Sequence, residues 1–541
     1  MKRLIALLLS LLLVVSCFAG CAAKEEKKSD LEKIAEKNSE SKTESGDEAP
    51  EAERIKMELY YVPWTGIPIE GDDMYIQWIN EVTGADWKLT YASDFESEIL
   101  TRSASNNMPD LIVFENYVPL FKLYDEGILM DDWNAYADKL PCTFKNIGET
   151  QMSYFTIDGK LISVPTLGGE QLYTFLIRKD WLANLGMEMP TNKEELLEVA
   201  RAFTFNDPDG NGKNDTYGFC SAGSGSMGEI MQLQNLWSPY KYRDAVKSGF
   251  YITEDGNVSS NIVDGSLKNC LDLIKTIVDE GLIDPDWYSM GLDERKPGTY
   301  SGRYGILCHW APEDLLNETN QARSLDGLVE DWWEVMPLFD ETGNGTGGKQ
   351  PAMSPLGMIR SVSASCAASP EKMEAICKLL EATAYPNEGY FAMRAGAGIN
   401  GRVVKPVGDR YYINYMENTL GYKQNTNIGL ANYGKFVNSY APEANIVWGP
   451  SALPDSVANR SLEMSAQVQA LPRYDNEYEF LLRLNTQLLA ECESSLQEFM
   501  INYVLGKTDD YEGFVEDWLA VGGQQLLDES KTQLTEMGYI K

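Results

Sequence analysis

The stretch DGKLISVPTLGGEQLYTFLIRKDWLANLGM (residues 158–187) decides the fold. It holds two short apolar runs, 161–164 and 173–177, each bounded by turn residues. Runs of that length read as buried strands. Between them PTLGG (165–169) can bend, and Trp181, Leu182 and Leu185 then open a helix that Gly186 ends. The pattern predicts a strand in one lobe, a crossing at Gly168 and Gly169, and a strand-helix start in a second lobe. A cleft sits where the chain crosses, and the remaining segments can be arranged around it.

Composition bounds what such a chain can do. With 541 residues it has room for more than one domain and a large core. It is 43% hydrophobic and 24% charged, the balance of a soluble globular protein. A formal net charge of −36 argues against nucleic acid, which needs a basic footprint. The same charge suits an extracellular protein without identifying a ligand.

The first 21 residues, MKRLIALLLSLLLVVSCFAGC, read as an export signal. Lys2 and Arg3 precede an apolar run, 4–15, too short for a mature spanning helix. FAGC (18–21) resembles a bacterial lipobox, with VVSC (14–17) as a competitor. Cys21 is preferred over Cys17 because small Ala19 and Gly20 precede it and a polar stretch follows. An ordinary cleaved signal with a chance cysteine is the plainer alternative. A diacylglycerol on Cys21 would anchor the chain to the outer leaflet, each buried CH2 contributing about 0.8 kcal/mol. Residues 22–54 are charged and rich in Glu, Lys and Ser, and read as a flexible tether.

Further along, 57–62 and 111–114 read as strands and 74–82 as a helix. Thr191 is expected to cap a helix, with Glu194 completing a capping box. Residues 217–220 and 332–338 read as strands, 221–227 as a Gly/Ser loop able to approach a ligand, and 267–278 as a helix. Residues 359–363 are taken as the return crossing, Ser369-Pro370 as a helix start, and 480–505 and 511–538 as two amphipathic helices. Seven cysteines remain after Cys21, dispersed and odd in number, which is not a disulfide framework.

The 158–187 stretch, SASNNMPDLIVFEN (103–116), GILM (127–130), YSGRYGILCHW (300–310) and MRAGAGING (393–401) follow one another in a meaningful order. Together they resemble the extracellular solute-binding proteins of ABC importers, in particular the large oligosaccharide-type lipoproteins of Gram-positive bacteria. The resemblance covers residues 53–541, although the 393–401 step lacks its acidic residue. It implies an α/β fold of the two-lobed, periplasmic-binding-protein-like (type II) kind, with an interlobe cleft. The expected division is 55–168 with 361–430 for the first lobe, and 169–360 with 431–541 for the second. It further implies a monomer that captures a carbohydrate, an oligosaccharide, and delivers it to membrane permease subunits at the extracellular face of the membrane. A peptide is the runner-up ligand class.

DPDGNGKND (207–215) carries the strongest ion pattern. Asp207, Asp209, Asn211 and Asp215 offer oxygens at loop positions 1, 3, 5 and 9, Gly212 takes the sharp turn, and Lys213 would offer its carbonyl. Position 12 is Gly218 rather than the bidentate Glu of an EF-hand. The family resembled has its own calcium loop here, usually closed by an acidic pair; this chain has Asp215-Thr216. A structural Ca²⁺ and a solvated Asx/Gly turn without metal both remain open.

Catalysis finds little footing. His309 is the sole histidine, which excludes a multi-histidine zinc site. No GxSxG elbow occurs, and glycine patterns at 223–228 and 343–349 are better explained as flexible loops than as nucleotide cradles. Paired carboxylates stay open among 82 acidic residues, so a secreted glycoside hydrolase is the enzyme alternative. The ligand residues expected at the cleft are Trp64, Glu115 and Asn116 from the first lobe, and Tyr173, Arg178, His309 and Trp310 from the second. Aromatics would stack on sugar rings, and Glu115, Asn116 and Arg178 would hydrogen-bond hydroxyls. Each aromatic has a core role as its alternative, and Arg178 an ion pair with an acidic neighbour.

Overall fold

The computed structural model describes residues 54–62, 74–91, 95–114, 118–167, 174–236, 249–309, 315–316, 319, 329, 332–340, 342–349, 356–395, 455–473 and 477–540, together with three strands between 403 and 448. In chain order the strands that build the fold are β1 (Ile55–Tyr61), β2 (Ala85–Tyr91), β3 (Leu111–Phe114), β4 (Val164–Leu167), β5 (Thr174–Arg178), β6 (Tyr217–Phe219), β7 (Tyr304–His309), β8 (Trp333–Val335), β9 (Leu356–Val362), β10 (Val403–Val407), β11 (Arg410–Asn414) and β12 (Asn445–Trp448).

They form two main sheets. The first has the order β2-β1-β3-β9-β4 and the second β8-β5-β7-β6. β1, β2 and β3 run parallel, while β9 runs antiparallel to both β3 and β4. β3 is central, as its unbroken apolar run predicts, and all four of its residues are buried. β5 and β7 are likewise buried throughout and pair antiparallel at the centre of the second sheet. β2 lies at an edge and alternates instead, turning Asp86 and Lys88 to solvent, which blunts that edge against further pairing.

Helices cover both sheets. Pro370–Ala382 packs on Met74–Thr83 beside the first sheet, with Ser369 as its N-cap. A larger core joins Phe175, Ile177, Phe219 and Ile306 of the second sheet to Ser266–Asp279 and to the C-terminal helices. The opposite face of that sheet packs Leu176, Leu307 and Trp333 against Val457 and Met464. Among the described residues no helix is long and apolar enough to cross a membrane.

Several local expectations shift. Helix Lys193–Phe205 is capped by Asn192, whose side chain accepts from the Glu195 amide at 2.9 Å. Thr191 sits one residue outside, donating its amide and hydroxyl to the Glu195 carboxylate at 2.8 Å each. The cap therefore falls one residue later than Thr191 predicted, because Asn192 is as good an acceptor and is nearer the first turn, and Glu195 reaches back to Thr191 instead of closing a box with the cap residue. The helix expected from 480 begins at Thr486, behind the Asn485 cap. The helix expected over 511–538 is broken by a π-helical turn, Leu519–Gly523, between Tyr511–Trp518 and Gln524–Glu536. The return segment 359–363 is no crossing: β9 starts at Leu356 and already belongs to the first sheet. A boundary at 430 also divides a sheet, because β12 pairs with β11 in parallel.

Candidate ligand-binding site

Strand polarity brings particular chain ends together. In the first sheet the parallel strands β1, β3 and β4 end at Tyr61, Phe114 and Leu167, and β9 begins at Leu356 on that same edge. In the second sheet Thr174, the first residue of β5, lies directly opposite His309, the last of β7. β8 ends toward that edge too, since Val335 pairs with Leu176. Residues 168–173 join the two edges in one direction and 336–355 in the other. The sheet edges that carry both connections are thus the walls of the candidate site, outside the carboxyl ends of most of the strands that line it.

Trp64, Glu115, Asn116, Tyr173 and Trp310 lie outside the described residues. His309 is described: it is 2% exposed and paired in register with Thr174. The Thr174 hydroxyl is buried and has no hydrogen-bond partner among the described residues.

Arg178 requires a correction. It is the last residue of β5 and pairs with Trp333, at the opposite end of the strand from Thr174. Its guanidinium is held by Asp180, Nε to Oδ1 at 2.7 Å and Nη2 to Oδ2 at 2.5 Å. The same group lies 4.4 Å from the Trp181 ring centroid and 3.8 Å from that of Trp332. Arg178 is 2% exposed and serves the interior of its own lobe. An ion pair two residues away outcompetes a distant ligand.

The second-lobe edge holds a feature no local pattern announced. After β6 the chain enters loop 221–227, in which Ser224 and Gly225 both take positive φ, 48° and 84°. Its amides are tied down: Gly223 to the Trp287 carbonyl at 3.0 Å, Ser224 to Met290 at 3.1 Å and Gly225 to Tyr288 at 2.7 Å. Gly223 packs so closely that a Cβ would stand 2.6 Å from the Tyr288 carbonyl oxygen. Beneath the loop, Glu229 accepts from the Ala222 amide with one oxygen and from Arg295 with the other. Arg295 also donates to the Cys308 carbonyl, one residue before His309, at 3.3 Å. Burial alone would pull the Arg295 guanidinium down; Glu229 beside it more than offsets this and holds it above the ordinary arginine range. Glu229 and Arg295 are 66 residues apart in sequence, which is why the sequence reading passed over them. Its one usable signal was the Gly/Ser composition of the loop.

Loop 207–215 is compact. Asp207 accepts from the Asn211 and Gly212 amides at 3.0 and 2.9 Å, and the Asn211 side chain donates to Asp209 at 2.8 Å and Asp215 at 3.2 Å. Burial, followed by the neighbouring Asp207 and Asp215, pushes the Asp209 carboxyl up. Lys213 donates its amide to Asn211 Oδ1 at 2.8 Å. The donor types suit a hard cation. Even so, among the described residues no group of three or more His, Cys, Asp or Glu side chains is arranged to hold a metal ion. Gly218 cannot be replaced by an acidic ligand in place, since a Cβ there would lie 2.6 Å from the Ala200 carbonyl oxygen.

No family model matches the chain. Among curated proteins it is similar to lipoprotein LipO of Bacillus subtilis (strain 168), 25% identical over 239 residues, 42% of this chain and 45% of that protein. It is also similar to the fructooligosaccharide ABC transporter substrate-binding protein FusA of Streptococcus pneumoniae serotype 4, 26% identical over 274 residues, 48% of this chain and 49% of that one. The chain thus spans about half the length of the curated relatives it matches. In three dimensions, S. pneumoniae FusA in complex with kestose superposes with a TM-score of 0.64 at 16% identity, covering 90% of this chain and 99% of that one. A FusA EF-hand mutant in complex with fructo-nystose gives 0.65 at 15% identity over the same shares. The fold is therefore the two-lobed α/β fold of ABC-importer solute-binding proteins.

Proposed function

We propose that this chain is the solute-binding component of an ABC importer, taking an oligosaccharide between the two sheet edges and presenting it to membrane permease subunits. The observation that carries the reading is the connectivity of two sheets whose strands are linked through 168–173 and 336–355, in a fold matched along 90% of the chain by a kestose-bound neighbour. LipO and FusA are named for lipoprotein and fructooligosaccharide roles, and the same roles are proposed here.

Trp64, Glu115 and Asn116 would meet the ligand from the first lobe, Tyr173, His309 and Trp310 from the second. The lobes are proposed as 55–168 with the strands from Leu356 onward, and 169–355 with the C-terminal helices. A diacylglycerol on Cys21 and the 22–54 tether would hold a monomer at the extracellular face of the membrane. Non-enzymatic capture is supported by the curated relatives, which are named as a lipoprotein and a transporter substrate-binding protein. The acidic loop would take a structural Ca²⁺ through Asp207, Asp209, Asn211, the Lys213 carbonyl and Asp215, tying the end of helix Lys193–Phe205 to β6. The EF-hand of the FusA neighbour supports that assignment.

A thermal-shift screen tests the reading. Kestose, nystose, an alginate oligosaccharide, an oligogalacturonide, Man5GlcNAc and a peptide mixture are each added to the full chain. One carbohydrate raises the melting temperature through preferential binding to the folded state and is recovered unchanged. A response to peptides alone, hydrolysis of the sugar, or no response to any carbohydrate overturns it.

A further inference from the structure

We infer that Glu229 and Arg295 are positioning residues that hold loop 221–227 in the shape that meets the ligand. The inference rests on the binding reading above and assigns the second-lobe wall of that site a fixed support.

A continuous polar chain runs from the end of β7 to the start of the loop. The Cys308 carbonyl accepts from Arg295, Arg295 donates to Glu229, and Glu229 accepts from the Ala222 amide. Arg295 is 1% exposed on helix Leu292–Ser301, and the side chain of its partner Glu229 is 14% exposed. Removing two charges from water costs several kcal/mol, and a well-packed apolar pair would often stabilise such a place as well or better. Stability alone is therefore a poor account of the pair. What an apolar pair could not do is grip a backbone amide of the loop and a carbonyl of the adjacent strand together.

The loop needs such a grip. Ser224 at φ 48° occupies the left-handed region that non-glycine residues enter at a cost of about 1–2 kcal/mol. Strained backbone persists where the surroundings over-determine it. Here the three carbonyls at Trp287, Tyr288 and Met290 hold the loop's crown and Glu229 holds its base. The hydroxyl of Ser221 and the Nε of Arg295 are buried without a hydrogen-bond partner among the described residues, so the wall keeps polar capacity beyond what its own folding uses. Cys308, tied to Arg295, immediately precedes His309 and the proposed contact Trp310. One ion pair thereby sets the spacing between two chain ends of the same wall.

The test compares the full chain with Glu229→Asp and with the double variant Glu229→Leu, Arg295→Met. Isothermal titration uses whichever carbohydrate of the thermal-shift panel binds the parent, and hydrogen exchange is followed over residues 221–228. Glu229→Asp keeps the charge for Arg295 but withdraws the carboxylate from Ala222. Its melting temperature stays near the parent's while loop exchange quickens and Kd rises. If the loop keeps its binding shape about a tenth of the time, Kd rises about tenfold. The double variant behaves alike, with β7 exchange unchanged. Parent-like affinity in both Glu229→Asp and the double variant, or quickened exchange without loss of affinity, overturns the inference. A parent that binds no carbohydrate in the panel instead overturns the binding reading on which it stands.

Discussion

The guanidinium of Arg483 lies 3.8 Å from the centroid of the Phe121 ring. Phe121 belongs to helix Val118–Asp125, which follows β3 of the first sheet, and its ring also stacks near Phe155 at 6.3 Å. Arg483 is fixed on the other side: its amide donates to Gln533 at 2.7 Å, and its carbonyl accepts from the Gln533 side chain at 2.9 Å. Gln533 sits on helix Gln524–Glu536, whose Leu526, Leu527 and Leu534 pack into the core of the second sheet. The pair therefore joins helix Val118–Asp125, after β3 of the first sheet, to the C-terminal helices packed on the second sheet.

An exposed cation–π contact of this kind contributes about 0.5–1 kcal/mol. Arg483→Ala should shift the balance of lobe arrangements by roughly 2- to 5-fold, converted at 1.4 kcal/mol per decade. Single-molecule energy transfer between dyes on the two lobes of the ligand-free protein reads this directly. A distance distribution identical to the parent's would show that the contact follows the arrangement of the lobes without biasing it.

Arg178→Ala should destabilise the second lobe by about 1.5–3 kcal/mol, because it removes the charge-assisted hydrogen bonds to Asp180 and the buried guanidinium packed on Trp181 and Trp332. Ligand affinity of the folded fraction should stay at the parent's value. A variant that unfolds normally but binds more weakly would return Arg178 to the site.

That residue shows where sequence reading stopped. The strand around it was legible, as was helix Lys179–Leu185 with Gly186 at its end, since apolar runs and a left-handed glycine act within a few residues. Which end of β5 faces the partner lobe was not legible. Five residues of strand put Thr174 and Arg178 about 13 Å apart at ~3.3 Å per residue, and only pairing with β7 says which end meets His309. The start of the return strand at Leu356 escaped for a similar reason, because β9 is defined by its partners Leu167 and Phe114. The Glu229–Arg295 pair has no local signature at all.

Glu58 links stability to pH. It accepts both terminal nitrogens of Arg102, at 2.9 and 2.7 Å, and the Thr90 hydroxyl at 2.7 Å. Burial would raise its carboxyl, but Arg102 and Thr90 more than offset that and hold it below the ordinary glutamate value of 4.5. A depressed folded pKa contributes stability above the unfolded value, lost as pH falls through the folded one. Glu58→Gln should therefore cost about 1–2 kcal/mol at pH 7, with the gap to the parent closing below pH ~4.5. Urea titrations at pH 7 and pH 3 check this, and a gap that is constant with pH rules out the linkage.

The acidic loop gives opposite signs with and without calcium. Burial and then its acidic neighbours raise the Asp209 carboxyl, so its ionised form is penalised in the folded chain at neutral pH. In chelator, Asp209→Asn should melt no lower than the parent. With Ca²⁺ at about ten times a Kd of roughly 0.1–1 mM, the parent should gain about 1.4 kcal/mol. The variant should gain much less. Equal calcium responses in both proteins would remove Asp209 from the metal set, and no response in a chelator-stripped parent would remove the metal.

The last expectation concerns Trp310. It follows His309, the residue that pairs with Thr174 where the chain enters the second sheet. Tyr173 precedes Thr174, so both aromatics continue from one strand pair at the edge proposed to face the ligand. His309 is itself buried, and the strand pair beneath it is buried on both faces, so the wall there is stiff. A ring carried on a stiff wall loses little freedom when a sugar stacks on it, and its removal costs the contact outright. By analogy with base–aromatic stacking that loss is about 1–3 kcal/mol. Trp310→Ala should then weaken the ligand found in the screen by roughly 5- to 150-fold. Calorimetry measures it, with near-ultraviolet circular dichroism showing that the lobe is intact. A folded variant of unchanged affinity would place Trp310 in the core and move the second-lobe contact to loop 221–227.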